Sequence, residues 1–92
     1  MTMAQTIEAK LTVAFAPERL DVVDESRLHA GHAGARPGGE THFRVELVSD
    51  RFAGLSRVDR QRLVYDALAA ELADRVHALA LKTLTPEEDA RA

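Results

Sequence analysis

Four histidines carry most of the chemistry that this 92-residue chain offers. Two of them, His29 and His32, lie in the stretch 29–39, HAGHAGARPGG, which is rich in glycine. His42 opens the segment that follows, and His77 starts the last apolar run. Two readings of the loop stand side by side: it holds imidazoles out toward a soft metal, or it is a polar surface connection that contains histidine. The chain has no cysteine, which excludes disulfides, thiol catalysis and any all-thiolate site. No Ser-His-Asp order, phosphate loop or paired acidic motif appears, so the chain reads as a non-enzyme.

A second group is cationic. Over residues 51–62, Arg51, Arg57, Arg60 and Arg62 meet one acid, Asp59, for a local charge of +3, whereas the whole chain carries −3. The negative total argues against indiscriminate attraction to polyphosphate, so any nucleic-acid contact has to come from this patch. A helix N-terminus flanked by arginines can receive phosphate. The plain alternative is a solvated helix face, or arginines paired with Asp50, Asp59 and Asp66.

The elements that must position these groups follow from periodicity. Length and a 46% apolar, 29% charged composition fit one domain with one core. No run approaches the roughly 18 apolar residues of a membrane helix, and MTMAQTIEAK lacks a hydrophobic signal core, so a cytoplasmic protein with no membrane contact is expected. Thr2 and Gln5 form a capping box, and Ile7, Leu11 and Phe15 make one apolar stripe, which predicts a helix over 3–15 stopped by Pro17. Residues 20–26 alternate as a strand with one wet face at a sheet edge. Between Leu28 and Thr41, three alanines, four glycines and a proline form a long flexible connection.

Residues 42–49 alternate again, with Phe43, Val45 and Leu47 inward and His42, Arg44 and Glu46 outward. Gly54 supplies a positive φ for the turn after it, and Ser56 caps a long helix to about residue 73. Val64, Leu68 and Leu72 form its buried face, with Leu55, Val58 and Tyr65 near its start. Residues 76–83 are apolar on both alternations and read as a strand that is paired on both sides or closely packed. Thr85-Pro86-Glu87-Glu88 starts a short helix, with Glu87, Glu88 and Asp89 in a solvated tail over 86–92. By strand parity His77 leans to the packed side with Leu79 and Leu81, whereas His42 faces solvent, which makes His42 a poor co-ligand for His77.

The order α-β-β-α-β, with an extra helical turn near Ser56, predicts an α+β domain. One long helix between strands two and three lets them run parallel by a right-handed crossover, and the first two pair antiparallel. The sheet is then three-stranded and mixed, with helices on one face.

Several ordered blocks resemble the BolA-like family: Asp24-Glu25-Ser26, His42-Phe43-Arg44-Val45, Val48-Ser49-Asp50-Arg51-Phe52, Gly54, RVDRQRLVY over 57–65, Leu72, and Val76-His77-Ala78-Leu79-Ala80-Leu81. The resemblance covers residues 7–88. It implies a class II KH-like α-β-β-α-α-β sandwich, in agreement with the order read from periodicity. It also implies binding to a monothiol glutaredoxin with a shared 2Fe-2S cluster, in cluster trafficking, assembly or iron homeostasis. The metal ligands it implies are His77 and a loop histidine, either His29, counting forward from Asp24, or His32, counting back from His42. Imidazole pairs do hold one iron in Rieske centres. Without cysteine, the thiolates for the second iron must come from a glutaredoxin and glutathione, so the free chain holds no cluster tightly.

The resemblance also implies a rival role as a DNA-binding transcriptional regulator, and the basic start of the long helix, with Arg51, Arg57, Arg60 and Arg62, is the surface that the charge pattern offers for it. Against that, the GxxG loop by which KH modules clamp nucleic acid is missing, since residues 52–55 (FAGL) hold one glycine. Stacking aromatics are scarce, with three Phe and one Tyr, mostly at expected core positions. Whether the free chain self-associates weakly stays open.

Overall fold

The first helix begins at the cap written into the sequence. Thr2 Oγ1 accepts the Gln5 N–H (3.2 Å) and Gln5 Oε1 accepts the Thr2 N–H (2.9 Å), closing a capping box ahead of α1 (Met3–Phe15). Ile7, Leu11 and Phe15 are its buried residues. Ala16, barred from the right-handed helical region by Pro17, turns left-handed at φ 44° and ends the helix. The structure is a computed structural model and describes residues 2–25 and 42–91.

The sheet has three strands in the order β1 (Arg19–Asp24), β2 (His42–Val48), β3 (Ala78–Leu84). β1 pairs antiparallel with β2, from Arg19 opposite Val48 to Asp24 opposite Phe43. β2 pairs parallel with β3, from His42 opposite Ala78 to Val48 opposite Leu84. The expected mixed, three-stranded α+β architecture is therefore the observed one. The last strand departs from expectation: within the described residues β3 lies at the edge of the sheet, and β2 alone is paired on both sides. Its double apolar alternation comes from small side chains, because Ala78 and Ala80 face outward with Lys82 while Leu79 and Leu81 pack against the core.

Phe43, Val45 and Leu47 on the inner face of β2 meet Ile7, Leu11, Phe15, Phe52, Val64, Leu68 and Val76 in one core. The long helix is interrupted at Leu68 (φ −107°), giving α2 (Arg57–Ala67) and α3 (Ala69–Asp74). Alanine-rich sequence favours one continuous helix, but tertiary contacts override that preference. The kink leaves Leu68 buried, Leu72 packed on the core, and Glu71 buried in an ion pair with Lys10 of α1 at 2.7 Å. Val58 and Tyr65, read from the sequence as part of the buried face, are 55% and 40% exposed. Among the described residues no helix is long and apolar enough to cross a membrane.

The C-terminal helix α4 (Pro86–Arg91) is tied down more firmly than a solvated tail. The Arg60 side chain, 11% exposed, donates Nη1–H to Glu88 Oε1 (2.6 Å) and to the Thr83 carbonyl (3.3 Å), and Nε–H to the Leu55 carbonyl (3.0 Å). Glu88 Oε1 also accepts the Thr85 N–H (2.8 Å), completing a capping box with Thr85. Asp89 binds Arg19 of β1 at 2.7 Å. These pairs join positions 28 and 70 residues apart, which local periodicity cannot register.

Ser49 closes the opposite junction. Fully buried, it donates Oγ–H to the Phe15 carbonyl at the end of α1 (2.7 Å) and accepts the Arg51 N–H of a 3₁₀ turn over Asp50–Phe52 (3.2 Å). Its own N–H donates to Leu84 (2.9 Å). Ser49→Ala leaves the Phe15 carbonyl without this donor, so a loss of about 1–3 kcal/mol is expected, read as a lower urea midpoint at unchanged m-value.

Glu88 yields a pH dependence. The Arg60 hydrogen bond, followed by that from the Thr85 backbone, holds its carboxyl down from 4.5 to about 2. The folded state therefore prefers the ionised form. Its stabilisation is complete above the ordinary carboxylate range and is lost as pH falls from 4.5 toward 2. Glu88→Gln is expected to flatten this part of the acid limb in thermal melts, and an acid limb indistinguishable from the parent's would contradict the assignment.

Candidate functional site

The parallel pairing of β2 with β3 puts the starts of both strands at one end of the sheet, and the antiparallel pairing brings the end of β1 there too. The Glu25 N–H donates to the His42 carbonyl at 2.8 Å. The chain thus leaves β1 and re-enters β2 at the same point, and the stretch holding His29 and His32 is anchored there at both ends. His29 and His32 themselves lie outside the described residues.

His77 reaches this end of the sheet from the other side. Val76 is buried, its N–H bound to the Glu71 carbonyl at 3.0 Å, so the next residue turns outward. His77 is exposed and Ala78 starts the pairing opposite His42. The half-buried His42 ring and the His77 ring stand with centroids 5.5 Å apart and planes at 57°.

This corrects two readings made from parity. His77 does not lean toward the packed side, and His42 is not remote from it. Strict alternation fails because His77 precedes the first paired residue of β3. Val76 takes the inward position, and residues 77 and 78 both point out in succession. Among the described residues no third His, Asp or Glu gathers with the pair into a metal-ready group.

The four arginines of the rival site separate into two kinds. Arg60 is internal, paired with Glu88 and lying 5.9 Å over the Phe52 ring centre, so its charge is spent within the fold. Arg51 is exposed but donates Nη1–H to the Ala14 carbonyl at 2.6 Å. Arg62 is exposed and within 3.6 Å of Asp59, a loose surface pair of the kind expected as the plain alternative. Arg57, exposed at the first turn of α2, has no carboxylate partner among the described residues. Gly54 takes φ 79°, as its place in the turn requires.

Sequence reasoning missed His42 as a neighbour of His77 and Glu88 as the partner of Arg60. The first was legible in principle, since pairing the strands from their first residues sets His42 beside the start of β3. The second had no local signal.

The fold has close counterparts. The family described as BolA-like protein matches residues 11–88. A DNA-binding transcriptional regulator BolA of Escherichia coli (strain K12) is 50% identical over 88 residues, spanning 96% of this chain and 80% of that protein. BolA-like protein 1 of Homo sapiens is 52% identical over 82 residues, spanning 89% of this chain and 57% of that longer protein. Among solved structures, the BolA domain of SufE1 from Arabidopsis thaliana matches with a TM-score of 0.86 at 43% identity, covering 96% of each chain.

Proposed function

The chain belongs to the BolA-like family, and from that premise we propose that it is an adaptor that binds a monothiol glutaredoxin and shares a bridging 2Fe-2S cluster with it. Its place is in iron-sulfur cluster trafficking, assembly or iron homeostasis. The observation that carries this reading is the exposed His77 imidazole at the end of the sheet where the histidine-bearing loop is anchored.

The donor chemistry fits. Imidazole suits iron in its common biological states, and a chain without cysteine offers the cluster no thiolate. His77 and one of His32 or His29 would hold one iron, and a glutaredoxin cysteine with glutathione would complete the other. Such mixed ligation supplies a redox centre with a higher potential than its all-thiolate relatives. The residues of this chain then have two tasks. Val76 and the β2 pairing fix where the His77 ring stands, and Glu25 and His42, the described residues on either side of the stretch that carries His29 and His32, meet at the same end of the sheet.

Coexpression with a monothiol glutaredoxin and glutathione is expected to yield a coloured heterocomplex whose visible absorption and circular dichroism differ from those of the glutaredoxin alone. Combining His32→Ala with His77→Ala should remove that difference. A spectrum indifferent to the double change would overturn the ligand assignment.

A second reading, DNA-binding regulation from the start of α2, is favoured by the name of the Escherichia coli relative. On this chain it rests on the exposed Arg51, Arg57 and Arg62, since Arg60 is engaged by Glu88. Three phosphate contacts imply a loss of affinity on the order of 40-fold between 50 and 200 mM salt. Combining Arg57→Ala with Arg62→Ala is expected to lower the log–log salt slope by about 2 in a gel-shift series. Binding that ignores salt would remove this reading.

A further inference from the structure

We propose that His42 and His77 form a two-imidazole chelate that takes one first-row divalent cation, such as Ni²⁺, Co²⁺ or Zn²⁺, on this chain by itself. The site shares His77 with the adaptor reading but needs neither the partner nor the loop histidines.

The geometry carries the assignment. With metal–nitrogen bonds of about 2.0 Å and a tetrahedral angle, two imidazole ring centres bound to one ion lie about 5 Å apart. The His42 and His77 centroids are 5.5 Å apart, and a tilt of 57° means the rings do not stack face to face, so their edges can converge on one ion. Little ordering is left for binding to impose. His42 sits in the central strand, its carbonyl held by Glu25, and His77 lies between the buried Val76 and Ala78, the residue paired with His42. A preorganised pair of this kind gains affinity because few backbone states have to be frozen.

The ligand class follows from the donors. Two neutral nitrogens favour borderline ions and give little to Ca²⁺ or Mg²⁺, which take oxygen. Among the described residues no group of three His, Asp or Glu gathers there, so with the two imidazoles bound the remaining positions of a four-coordinate ion go to water or to donors of a second molecule. The exposure of His77 keeps that side of the site open. The result is an exchangeable site, distinct from a closed structural one.

The chain has four histidines, so a full-length variant with His29→Ala and His32→Ala retains the proposed pair alone. Titrated with Ni²⁺ by calorimetry, this variant is expected to bind one equivalent with an affinity within about threefold of the parent chain's. Adding His42→Ala or His77→Ala should weaken binding at least tenfold, and His42→Gln should do the same while keeping a polar side chain at that position. Substoichiometric Co²⁺ or Ni²⁺ should broaden the ring proton resonances of His42 and His77 together. Broadening of one ring alone, or an affinity unmoved by His42→Gln, would overturn the proposal. Failure here leaves the glutaredoxin heterocomplex standing, since that complex is judged by its cluster spectrum. A missing heterocomplex spectrum likewise leaves the Ni²⁺ result untouched.

Discussion

The pairing of β2 on both edges is the constraint from which the rest of the molecule follows. One register, His42 opposite Ala78, decides which residues of β3 face the core and sets His77 beside His42. The other, Asp24 opposite Phe43, decides where the long connection begins and ends. A slip of one residue in either pairing would exchange the inner and outer faces of a strand, so the apolar set Phe43, Val45 and Leu47 defends both registers at once. Burial of three side chains in the core thereby fixes the spacing of two imidazoles at one end of the sheet. The chemistry at the sheet end is positioned by packing some distance away.

Most of the fold was legible because its signals are local. The α1 cap involves residues three apart, its stripe repeats every four, and β2 alternates without exception through Leu47. The parallel pairing of β2 and β3 followed from having helix alone between them. The misreadings share one cause: each depends on a contact between distant segments. Nothing near Leu68 announces a kink, which serves the Lys10–Glu71 pair and the seating of Leu72. β3 looked like a central strand because Ala78 and Ala80 count as apolar. Yet alanine is small enough to face solvent at little cost, and its presence on the outer alternation says little about burial.

The candidate site was legible in its residue types and illegible in its arrangement. Counting histidines and noting the absence of cysteine already rules out thiolate donors from this chain and leaves imidazole as its soft-metal ligand. Parity went wrong for His77 because alternation holds only inside a paired strand, and residue 77 precedes the pairing. The arginine patch shows the same limit from the electrostatic side. A local charge of +3 over residues 51–62 treats four guanidiniums as equivalent, whereas Arg60 is nearly enclosed and neutralised by Glu88 from beyond the window. Charge counted along the chain measures a surface only when no distant residue folds back on it.

The enclosure of Arg60 also separates the two surfaces a partner can address. At one end of β2 lie the imidazoles, with one ring exposed and the other half-buried. At the other end, Ser49 and the Arg60–Glu88 pair bind α1, β3, α2 and α4 together through buried or enclosed hydrogen bonds. That junction is saturated: its strongest donors and acceptors already have partners, so binding there would have to break native contacts. The imidazole end has the opposite character. Neutral ring nitrogens gain much from a metal, and exposure removes most of the desolvation cost of reaching them. The fold thus spends charged groups on internal closure at one end and leaves an exposed imidazole at the other. That closure also explains why a chain with twelve lysines and arginines presents only a modest cationic face at the start of α2.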